Sequence, residues 1–322
     1  MFRRRLGAGL LIVMATAAVS VNAAAGAVSP ARYAVGITNI TFTKTAVGSD
    51  KPRPLDTLIW YPAVDGTGTP EALGWRDADV APKQFPWIVF SHGSCGRPRE
   101  SSYLTMALAS RGFIVAAPPH IGNTGDDPDC VANFGDSFAN RVPDVRFIID
   151  SILAENANPS SRFADRLRPD DLGLMGLSFG GYTTLAAAQV EPRLRAAVAM
   201  VPGGTAALGP NDITIPMMII GSENDLIVGF AESEAAYQRV AAPRFLVELL
   251  KGNHLAVTDS CAPLCIPGEI PQAVAHRIVV RNVLSFFRHY LLLGRTDGTG
   301  TIRPMPRSLL TADPARTPPP AD

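Results

Sequence analysis

The stretch LGLMGLSFGG, residues 172–181, decides how this chain is expected to fold. Its apolar first half predicts a short buried strand, and the alanine-rich sequence after Phe179 predicts a helix. Between them, Gly176-x-Ser178-x-Gly180 fits the G-x-S-x-G pattern, in which a sharp strand-to-helix turn lifts a seryl oxygen above the edge of a sheet. Only small neighbours let the two backbones approach that closely. The stretch therefore predicts Ser178 as a nucleophile near a helix N-terminus, the alternative being a tight turn whose serine only caps the helix.

Further apolar runs on both sides of this stretch predict the rest of the sheet. Continuous runs stopped by Gly, Pro or polar residues are typical of strands buried on both faces of a parallel sheet, and they occupy residues 87–90, 113–117, 172–177, 196–201, 217–220 and 245–250. Partial alternation predicts two earlier antiparallel strands at 33–42 and 55–61. Helices are predicted at 101–111, 142–156, 179–190, 231–240 and 273–293. The order predicts an α/β domain: a mostly parallel central sheet with antiparallel N-terminal strands and helices on both faces.

Composition excludes several classes of protein. The chain has 322 residues, 47% of them hydrophobic, which is too apolar for a disordered chain. Lys plus Arg and Asp plus Glu both number 29, and this balance argues against nucleic-acid binding as the main task. The 4 cysteines are too few for a disulfide-built scaffold. No Cys-x-x-Cys occurs and no His stands at ligand spacing from a Cys pair, so we predict neither a metal nor another cofactor.

The N-terminal residues resemble a secretory signal peptide rather than part of the core. Arginines at 3–5 form a positive n-region, residues 6–21 are apolar or small, and the alanine-rich sequence that follows offers cleavage sites. An uncleaved membrane anchor is the alternative, but the apolar stretch is short for a span of about 20 residues. The sequence thus predicts a signal peptide at 1–27, a catalytic domain at 28–294, a flexible tail at 295–322, and a secreted or periplasmic location.

A seryl nucleophile needs a general base, and the base needs a carboxylate that orients it. Of the 5 histidines, His254 directly follows the last apolar run, where a loop can lower it onto Ser178. Asp225 follows the preceding run, so the chain order is Ser, Asp, His, which is the order found with G-x-S-x-G turns. Glu223, on the same loop, is the competing acid. We predict Ser178, Asp225 and His254 as the catalytic set, against the alternative of solvated loop side chains.

Attack on a carbonyl creates an oxyanion, which needs preorganised N–H donors. The backbone N–H of Phe179, directly after the nucleophile, is one predicted donor, and the other is expected from the loop 91–96 after an earlier strand. Ser94 is the first candidate in that loop and Cys95 the second. A glycine-rich turn without this role is the alternative.

The segment 119–140 is predicted to face the substrate, because α/β sheets bind ligands beyond the carboxyl ends of their strands. The candidate substrate-binding residues are His120, Cys95 and Phe134, and an ordinary solvated loop is the alternative. Little sequence separates the nucleophile turn from Asp225. We therefore expect no large lid and an open cleft for short or medium acyl chains.

The cysteines can form disulfides if the chain is exported. Cys261 and Cys265 are close enough in sequence to close a small loop, which would leave Cys95 and Cys130 as the second pair. More than one connectivity is compatible with the sequence, which does not choose among them.

With these motifs in order, the chain resembles the α/β-hydrolases, in the branch similar to dienelactone hydrolases and platelet-activating-factor acetylhydrolases. The motifs that carry the resemblance lie at 90–93, 108–118, 176–181, 221–225 and 252–254. It implies the α/β-hydrolase fold, a Ser-His-Asp triad and hydrolysis of carboxylic esters through an acyl-enzyme, without a cofactor. Dienelactone hydrolases themselves carry a Cys nucleophile, whereas Ser178 favours ordinary esters.

The motif order is also similar to that of bacterial cutinase-like polyester hydrolases. Those enzymes usually carry Trp where Leu177 stands, and a second Trp in the loop after the next strand, where residues 201–204 have none. An aromatic clamp for a polymer is therefore not expected. The expected partner is a small-molecule or lipid-like ester, with no nucleic acid and no stable membrane span after signal cleavage.

Other functions are compatible with the same fold. An acyltransferase would pass the acyl group to another alcohol, and a serine peptidase would cleave an amide. A non-catalytic binding protein would have no reason to retain Ser178, Asp225 and His254 together. The sequence favours an exported ester hydrolase over these alternatives.

Overall fold

A mixed β-sheet organises the molecule. The computed structural model describes residues 33–241, 243–262, 265–295 and 308–313, and within them 11 strands join in one sheet. In chain order the strands are β1 (Ala34–Thr45), β2 (Pro52–Ala63), β3 (Thr69–Glu71), β4 (Gly74–Arg76), β5 (Phe85–Ser91), β6 (Ile114–Ala117), β7 (Leu167–Leu177), β8 (Leu194–Met200), β9 (Met217–Ser222), β10 (Arg244–Leu249) and β11 (Ser308–Asp313). Across the sheet they follow the order β11-β10-β9-β8-β7-β5-β6-β2-β1-β4-β3.

The centre of the sheet is parallel and its N-terminal part antiparallel. Strands β6, β5, β7, β8, β9 and β10 run in the same direction, and they are the strands predicted from the continuous apolar runs. Every residue of β5 is buried, as expected of a strand covered on both faces. Strand β2 pairs antiparallel with both β1 and β6. The predicted α/β fold class is thereby confirmed.

Helices cover both faces of this sheet. They are α1 (Ser102–Ala109), α2 (Phe134–Ala157), α3 (Phe179–Ala188), α4 (Phe230–Gln238) and α5 (Gln272–Phe287), the last continuing as a π-helical turn at Arg288–Leu292. Successive residues of β7 show the two faces. Leu172 and Leu174 belong to the main apolar cluster with Val145 of α2 and Leu185 of α3, whereas a Cβ on Gly173 would meet Phe287 of α5.

The C-terminal segment differs from the sequence prediction. A flexible tail was expected at 295–322, but Ser308–Asp313 forms β11 and pairs antiparallel with β10 along its whole length. The physical reason is the position of β10, whose outer backbone N–H and C=O groups would otherwise stand at an open sheet edge. The flexible-tail prediction is wrong for these residues.

Helix α2 begins earlier than the sequence predicted. The start was predicted at residue 142 from apolar residues at helical spacing, whereas Pro143, which normally disfavours a helix interior, lies inside the helix. The helix instead begins at Phe134, so the last third of the segment 119–140 is helical rather than loop. The short strands β3 and β4, which pair with each other and with β1, were also not predicted.

None of the helices in the described ranges has the length and hydropathy needed to cross a bilayer. The signal peptide predicted at 1–27 lies outside the described residues.

Candidate active site

The turn between β7 and α3 has a strained backbone at Ser178. This residue adopts φ 54° and ψ −118°, a region that non-glycine residues seldom occupy. Two glycines make the turn possible: a Cβ on Gly176 would overlap the Gly180 carbonyl, and a Cβ on Gly180 would overlap the Ser91 carbonyl. Such strain persists only where surrounding contacts enforce it. Here it sets Ser178 at the carboxyl edge of the sheet, as the G-x-S-x-G pattern predicts.

His254 and Asp225 meet in the loops that follow β10 and β9. The Nδ1 atom of His254 lies 2.7 Å from Oδ2 of Asp225, and both side chains are almost fully buried. The other carboxylate oxygen, Oδ1, accepts hydrogen bonds of 3.0 Å from the backbone N–H groups of Ile227 and Val228. Burial alone would raise the pKa of Asp225, but these hydrogen bonds and the charge of His254 outweigh it and lower that pKa. An ionised Asp225 keeps the imidazole proton on Nδ1 and leaves Nε2 as the basic nitrogen.

The competing acid, Glu223, points elsewhere. Its side chain is exposed, and its Oε2 accepts the backbone N–H of Lys251 at 2.7 Å. The structure therefore brings Asp225, and not Glu223, against His254.

Backbone hydrogen bonds connect the Ser178 turn with the His254 loop across the sheet. The N–H of Ser178 donates to the carbonyl of Met200 in β8 at 2.9 Å. A backbone hydrogen bond likewise joins the residue after β8 to strand β9. The N–H of Asn224 then donates to the carbonyl of Gly252, two residues before His254, at 2.8 Å. Because β7, β8, β9 and β10 are parallel neighbours, the loops carrying Ser178, Asp225 and His254 share one edge of the sheet.

Backbone N–H groups without a partner in the described part of the chain lie at this edge of the sheet. The loop after β5 passes beside the turn, since a Cβ on Gly93 would lie 3.5 Å from the Cβ of Ser178. The N–H groups of Ser94 in this loop and of Phe179 at the start of α3 have no hydrogen-bond partner in the described part of the chain. Unpartnered N–H groups are what an oxyanion requires.

Phe134, one of the substrate-binding candidates, lies against Phe179. Their ring centroids are 4.4 Å apart and nearly parallel. One turn later on α2, the ring of Phe138 stacks on Tyr182 at 5.0 Å. Phe134 is 46% exposed and Phe138 38% exposed, so this aromatic cluster presents an apolar face to solvent next to Ser178. Such a face suits apolar groups of an ester.

His120 is not at the surface predicted for it. It is 0% exposed, with Nε2 2.8 Å from Oγ of Ser91 and Nδ1 3.3 Å from Oδ2 of Asp144. Burial lowers its pKa well below the ordinary value, and the positive charges of Arg141 and Arg53 add to that effect. The prediction of His120 as a substrate-binding residue is wrong for this structure, because its ring is part of a buried polar network.

Cys95, the remaining substrate-binding candidate, is bonded to Cys130, and Cys261 is bonded to Cys265. The first disulfide ties the loop that carries Ser94 to the segment before α2. It spans 35 residues of sequence, whereas the second spans 4. The two bonds therefore constrain the unfolded chain to different extents.

Removal of the Cys95–Cys130 disulfide is expected to destabilise the protein strongly. From loop entropy, the double variant Cys95→Ala/Cys130→Ala should lose about 4 kcal/mol of unfolding free energy. The matched control Cys261→Ala/Cys265→Ala should lose about 2 kcal/mol, because its loop is much shorter. Urea unfolding followed by circular dichroism measures both. Equal losses would contradict the expected dependence on loop length.

A cavity of about 400 Å³ lies between the loop after β5 and the residues that follow His254. Cys95 and Gly96 line one side, and Leu255 and Thr258 line the other. A cavity of this volume has room for part of a small ester. Among the described residues, no group of three or more His, Cys, Asp or Glu side chains is arranged to hold a metal ion.

Two charged residues that the sequence analysis did not identify contact the backbone of the loop after β5. Arg141 is 1% exposed and donates to two carbonyls of that loop, while Glu100 accepts the N–H of Gly93. Neither belongs to a motif, and a charged residue in a helix pattern normally predicts a solvated face. Nothing in the sequence signalled the burial of Arg141 or the contact that Glu100 makes.

A family model described as PET hydrolase-like matches residues 78–266, which is more than half of the chain. Cutinase est2 of Thermobifida alba is 30% identical over 172 residues, covering 52% of this chain and 52% of that protein. The bis(hydroxyethyl) terephthalate hydrolase of Streptomyces coelicolor is 25% identical over 205 residues, covering 63% of this chain and 56% of that protein. The chain spans about half the length of these curated relatives.

A solved structure has the same fold. The ferulic acid esterase from Streptomyces cinnamoneus superposes with a TM-score of 0.70 over 88% of this chain and 98% of that chain, at 21% sequence identity. The superposition supports the predicted α/β-hydrolase architecture. At this level of identity the likeness concerns the fold alone.

Proposed function

Because the chain belongs to the PET hydrolase-like family, we propose that it is an exported serine hydrolase that cleaves carboxylic esters through an acyl-enzyme. Its relatives include a bis(hydroxyethyl) terephthalate hydrolase and cutinases, whose names denote enzymes that cleave esters. These relatives support ester hydrolysis as the reaction. In this proposal Ser178 is the nucleophile, His254 the general base and Asp225 the residue that orients the base.

The observation that carries the proposal is the His254–Asp225 contact on the same sheet edge as a strained serine. The 2.7 Å hydrogen bond to Asp225 is suited to fix the imidazole tautomer. The φ of 54° at Ser178 belongs to a turn built to expose a side chain, and simple helix capping does not need it.

The reaction proceeds in two halves. Nε2 of His254 takes the proton of the Ser178 hydroxyl while Oγ bonds to the ester carbonyl carbon, and the carbonyl oxygen becomes an oxyanion. The N–H groups of Phe179 and Ser94 donate to that oxyanion. As it collapses, the imidazolium returns its proton to the leaving alcohol and the acyl group remains on Ser178. Water, deprotonated by His254, then attacks the acyl-enzyme, and the acid leaves as Ser178 regains its proton.

The ester is proposed to lie between the aromatic cluster of Phe134, Phe138, Phe179 and Tyr182 and the cavity beside Leu255. Exposed aromatic surface favours an apolar acyl or alcohol group. We propose small or lipid-like esters with short or medium acyl chains as substrates. Residues 1–27 are proposed as the signal peptide and 28–294 as the catalytic domain, with a secreted or periplasmic location.

A panel of p-nitrophenyl esters of increasing acyl length tests the reaction class, with the p-nitroanilide of a short acid as the peptidase control. Ester cleavage with an initial burst is expected, since the acyl-enzyme accumulates when its hydrolysis is slow. The rate should fall for the longest chains, and the anilide should stay uncleaved. Faster release of p-nitrophenol on addition of a small alcohol, with formation of a new ester, would indicate acyl transfer. No cleavage of any ester would contradict the proposal.

A further inference from the structure

Arg141 is buried directly behind the loop that supplies Ser94. Although it lies on α2, only 1% of it is exposed. Its Nη1 donates to the carbonyl oxygen of His92 at 2.6 Å and its Nη2 to that of Gly93 at 3.0 Å. The same Nη2 donates to Oδ1 of Asn123 at 2.7 Å. A planar guanidinium with these buried partners is held in one orientation, and it therefore fixes the two carbonyls.

The peptide between Gly93 and Ser94 is fixed by these contacts. Its carbonyl accepts hydrogen bonds from Arg141, from the N–H of Gly96 at 3.2 Å and from Nδ1 of His92 at 2.8 Å. Nδ1 carries the proton, because Nε2 of the same ring already accepts a backbone N–H at 2.9 Å. The C=O and N–H of a trans peptide point in opposite directions. Three donors on the carbonyl therefore turn the Ser94 N–H away from Arg141.

Glu100 binds the N–H of the preceding peptide, which joins His92 and Gly93. Its Oε1 accepts the N–H of Gly93 at 2.5 Å, while the carbonyl of that same peptide, from His92, is bound by Arg141. A Cβ on Gly96 would overlap the Glu100 carboxylate, so a glycine there lets the loop close on this acid. The loop backbone is thus held by a cation on one side and a carboxylate on the other.

Arg141 also contacts the side chain of Phe179, the residue whose backbone N–H is the other proposed donor. Its Cζ lies 4.2 Å from the centroid of the Phe179 ring, within the range of a cation–π contact. The Arg141 side chain therefore contacts both parts of the site. It binds the carbonyl of Gly93, which belongs to the same peptide as the Ser94 N–H, and it packs on the ring of Phe179.

We propose that Arg141 and Glu100 are positioning residues, which aim the Ser94 N–H, together with that of Phe179, at the carbonyl oxygen of an ester on Ser178. This inference rests on the proposed function, because it assigns the oxyanion role to those two N–H groups. In this proposal neither charged side chain acts directly on the reacting atoms. Each acts only through the backbone of the loop.

Glu100 makes this arrangement sensitive to pH. Burial raises the pKa of Glu100 to about 7, against the opposing effects of the Gly93 N–H and Arg141. The charged groups that face it are Arg97, Arg141 and Asp259. Above this pH the carboxylate is ionised and its bond to Gly93 is charge-assisted, whereas protonation weakens that bond. The kcat is therefore expected to fall as the pH drops through the pKa of Glu100.

The variants Arg141→Lys and Glu100→Gln test the proposal. Lysine keeps the charge but cannot bind both carbonyls, so kcat for an ester should fall about 100-fold with KM nearly unchanged, the loss typical of a missing oxyanion donor. The matched thionoester should lose far less, because its sulfur is a weak hydrogen-bond acceptor. Glu100→Gln keeps an acceptor for the Gly93 N–H, so its loss should stay within about tenfold. The titration of Glu100 should disappear from its pH profile.

Glu191→Gln is the matched control. Its carboxylate is 3% exposed and pairs with Arg193 and Arg146 beyond the end of α3, so the variant should lose stability but not kcat. Backbone hydrogen exchange adds a readout that needs no substrate. The Gly96 N–H, which donates to the Gly93 carbonyl, should exchange faster in Arg141→Lys than in the wild type.

Equal exchange rates, or equal losses on the ester and the thionoester, would overturn the positioning role even if the wild type is active. A wild type that cleaves no ester would instead overturn the proposed function. The exchange result would still decide whether Arg141 holds the loop.

Discussion

Replacement of Ser178 by alanine is expected to lower kcat about 10⁶-fold, with the remaining rate supplied by binding and oxyanion stabilisation alone. The alanine keeps the backbone of the turn and removes only the hydroxyl that forms the acyl-enzyme. Steady-state hydrolysis of a p-nitrophenyl ester measures the loss. Labelling with a fluorophosphonate measures the nucleophile directly, and it should disappear in the same variant.

Ser151→Ala is the matched control, because the Ser151 hydroxyl lies on α2 and donates only to the Phe147 carbonyl of the same helix. It should keep both activity and labelling. If Ser178→Ala still labels, or still hydrolyses esters at a rate near that of the wild type, Ser178 is not the nucleophile.

The strained backbone at Ser178 predicts a second effect of substitution at this position, which is a change in the free energy of unfolding. Glycine adopts a φ of 54° without the steric cost that a Cβ brings. Ser178→Gly should therefore lose activity like the alanine variant, yet gain about 1 kcal/mol of unfolding free energy. A gain in stability together with loss of activity is expected where backbone strain serves a site. A loss of stability would mean that the turn is not strained in the native protein.

The central sheet could be predicted from the sequence because its strands are buried on both faces. Such strands need continuous apolar runs, and those runs end where the chain leaves the core. Each run thus indicated both a strand and the position of the loop after it. The candidate site follows from the same fact, since Asp225 and His254 stand just past the ends of β9 and β10.

The edges of the sheet could not be predicted in this way. Strands β3, β4 and β11 are short and partly exposed, so they lack the apolar runs that mark buried strands. Their pairing depends on which sheet edge is open after the rest has folded, and that is a property of tertiary structure. The start of α2 was missed as well, and Pro143, a residue that normally disfavours a helix interior, lies inside this helix.

The two charged residues behind the site, buried Arg141 and half-buried Glu100, could not be predicted from the sequence either. Arg141 and Glu100 look like solvated charges in a linear pattern, because burial of a charge depends on partners brought from distant segments. The carbonyls that Arg141 binds lie 48 and 49 residues away along the chain. The opposite error occurred at His120, which follows a strand as a site residue would but is enclosed by Asp144 and its neighbours.

Replacement of Asp225 by asparagine is expected to lower kcat about 10⁴-fold while the fold is kept. The carboxylate accepts a hydrogen bond from the proton-bearing Nδ1 of His254 at 2.7 Å, and its lowered pKa keeps it ionised at neutral pH. An amide can present its N–H₂ group to the imidazole instead, which favours the tautomer with the proton on Nε2. That tautomer cannot take the proton from Ser178. Ester hydrolysis as a function of pH measures the loss, and part of the rate should return at high pH, where hydroxide can replace the base.

Glu223→Gln is the matched control, because Glu223 is the other acid of the same loop. It contacts the Lys251 backbone rather than His254, so its removal should change kcat by less than about threefold, as expected for an exposed charge with one backbone partner. The double variant should then behave like Asp225→Asn alone, because the two residues act independently. Should Glu223→Gln instead cause the large loss and Asp225→Asn the small one, the orienting role would belong to Glu223 and the loop would have to rearrange when substrate binds.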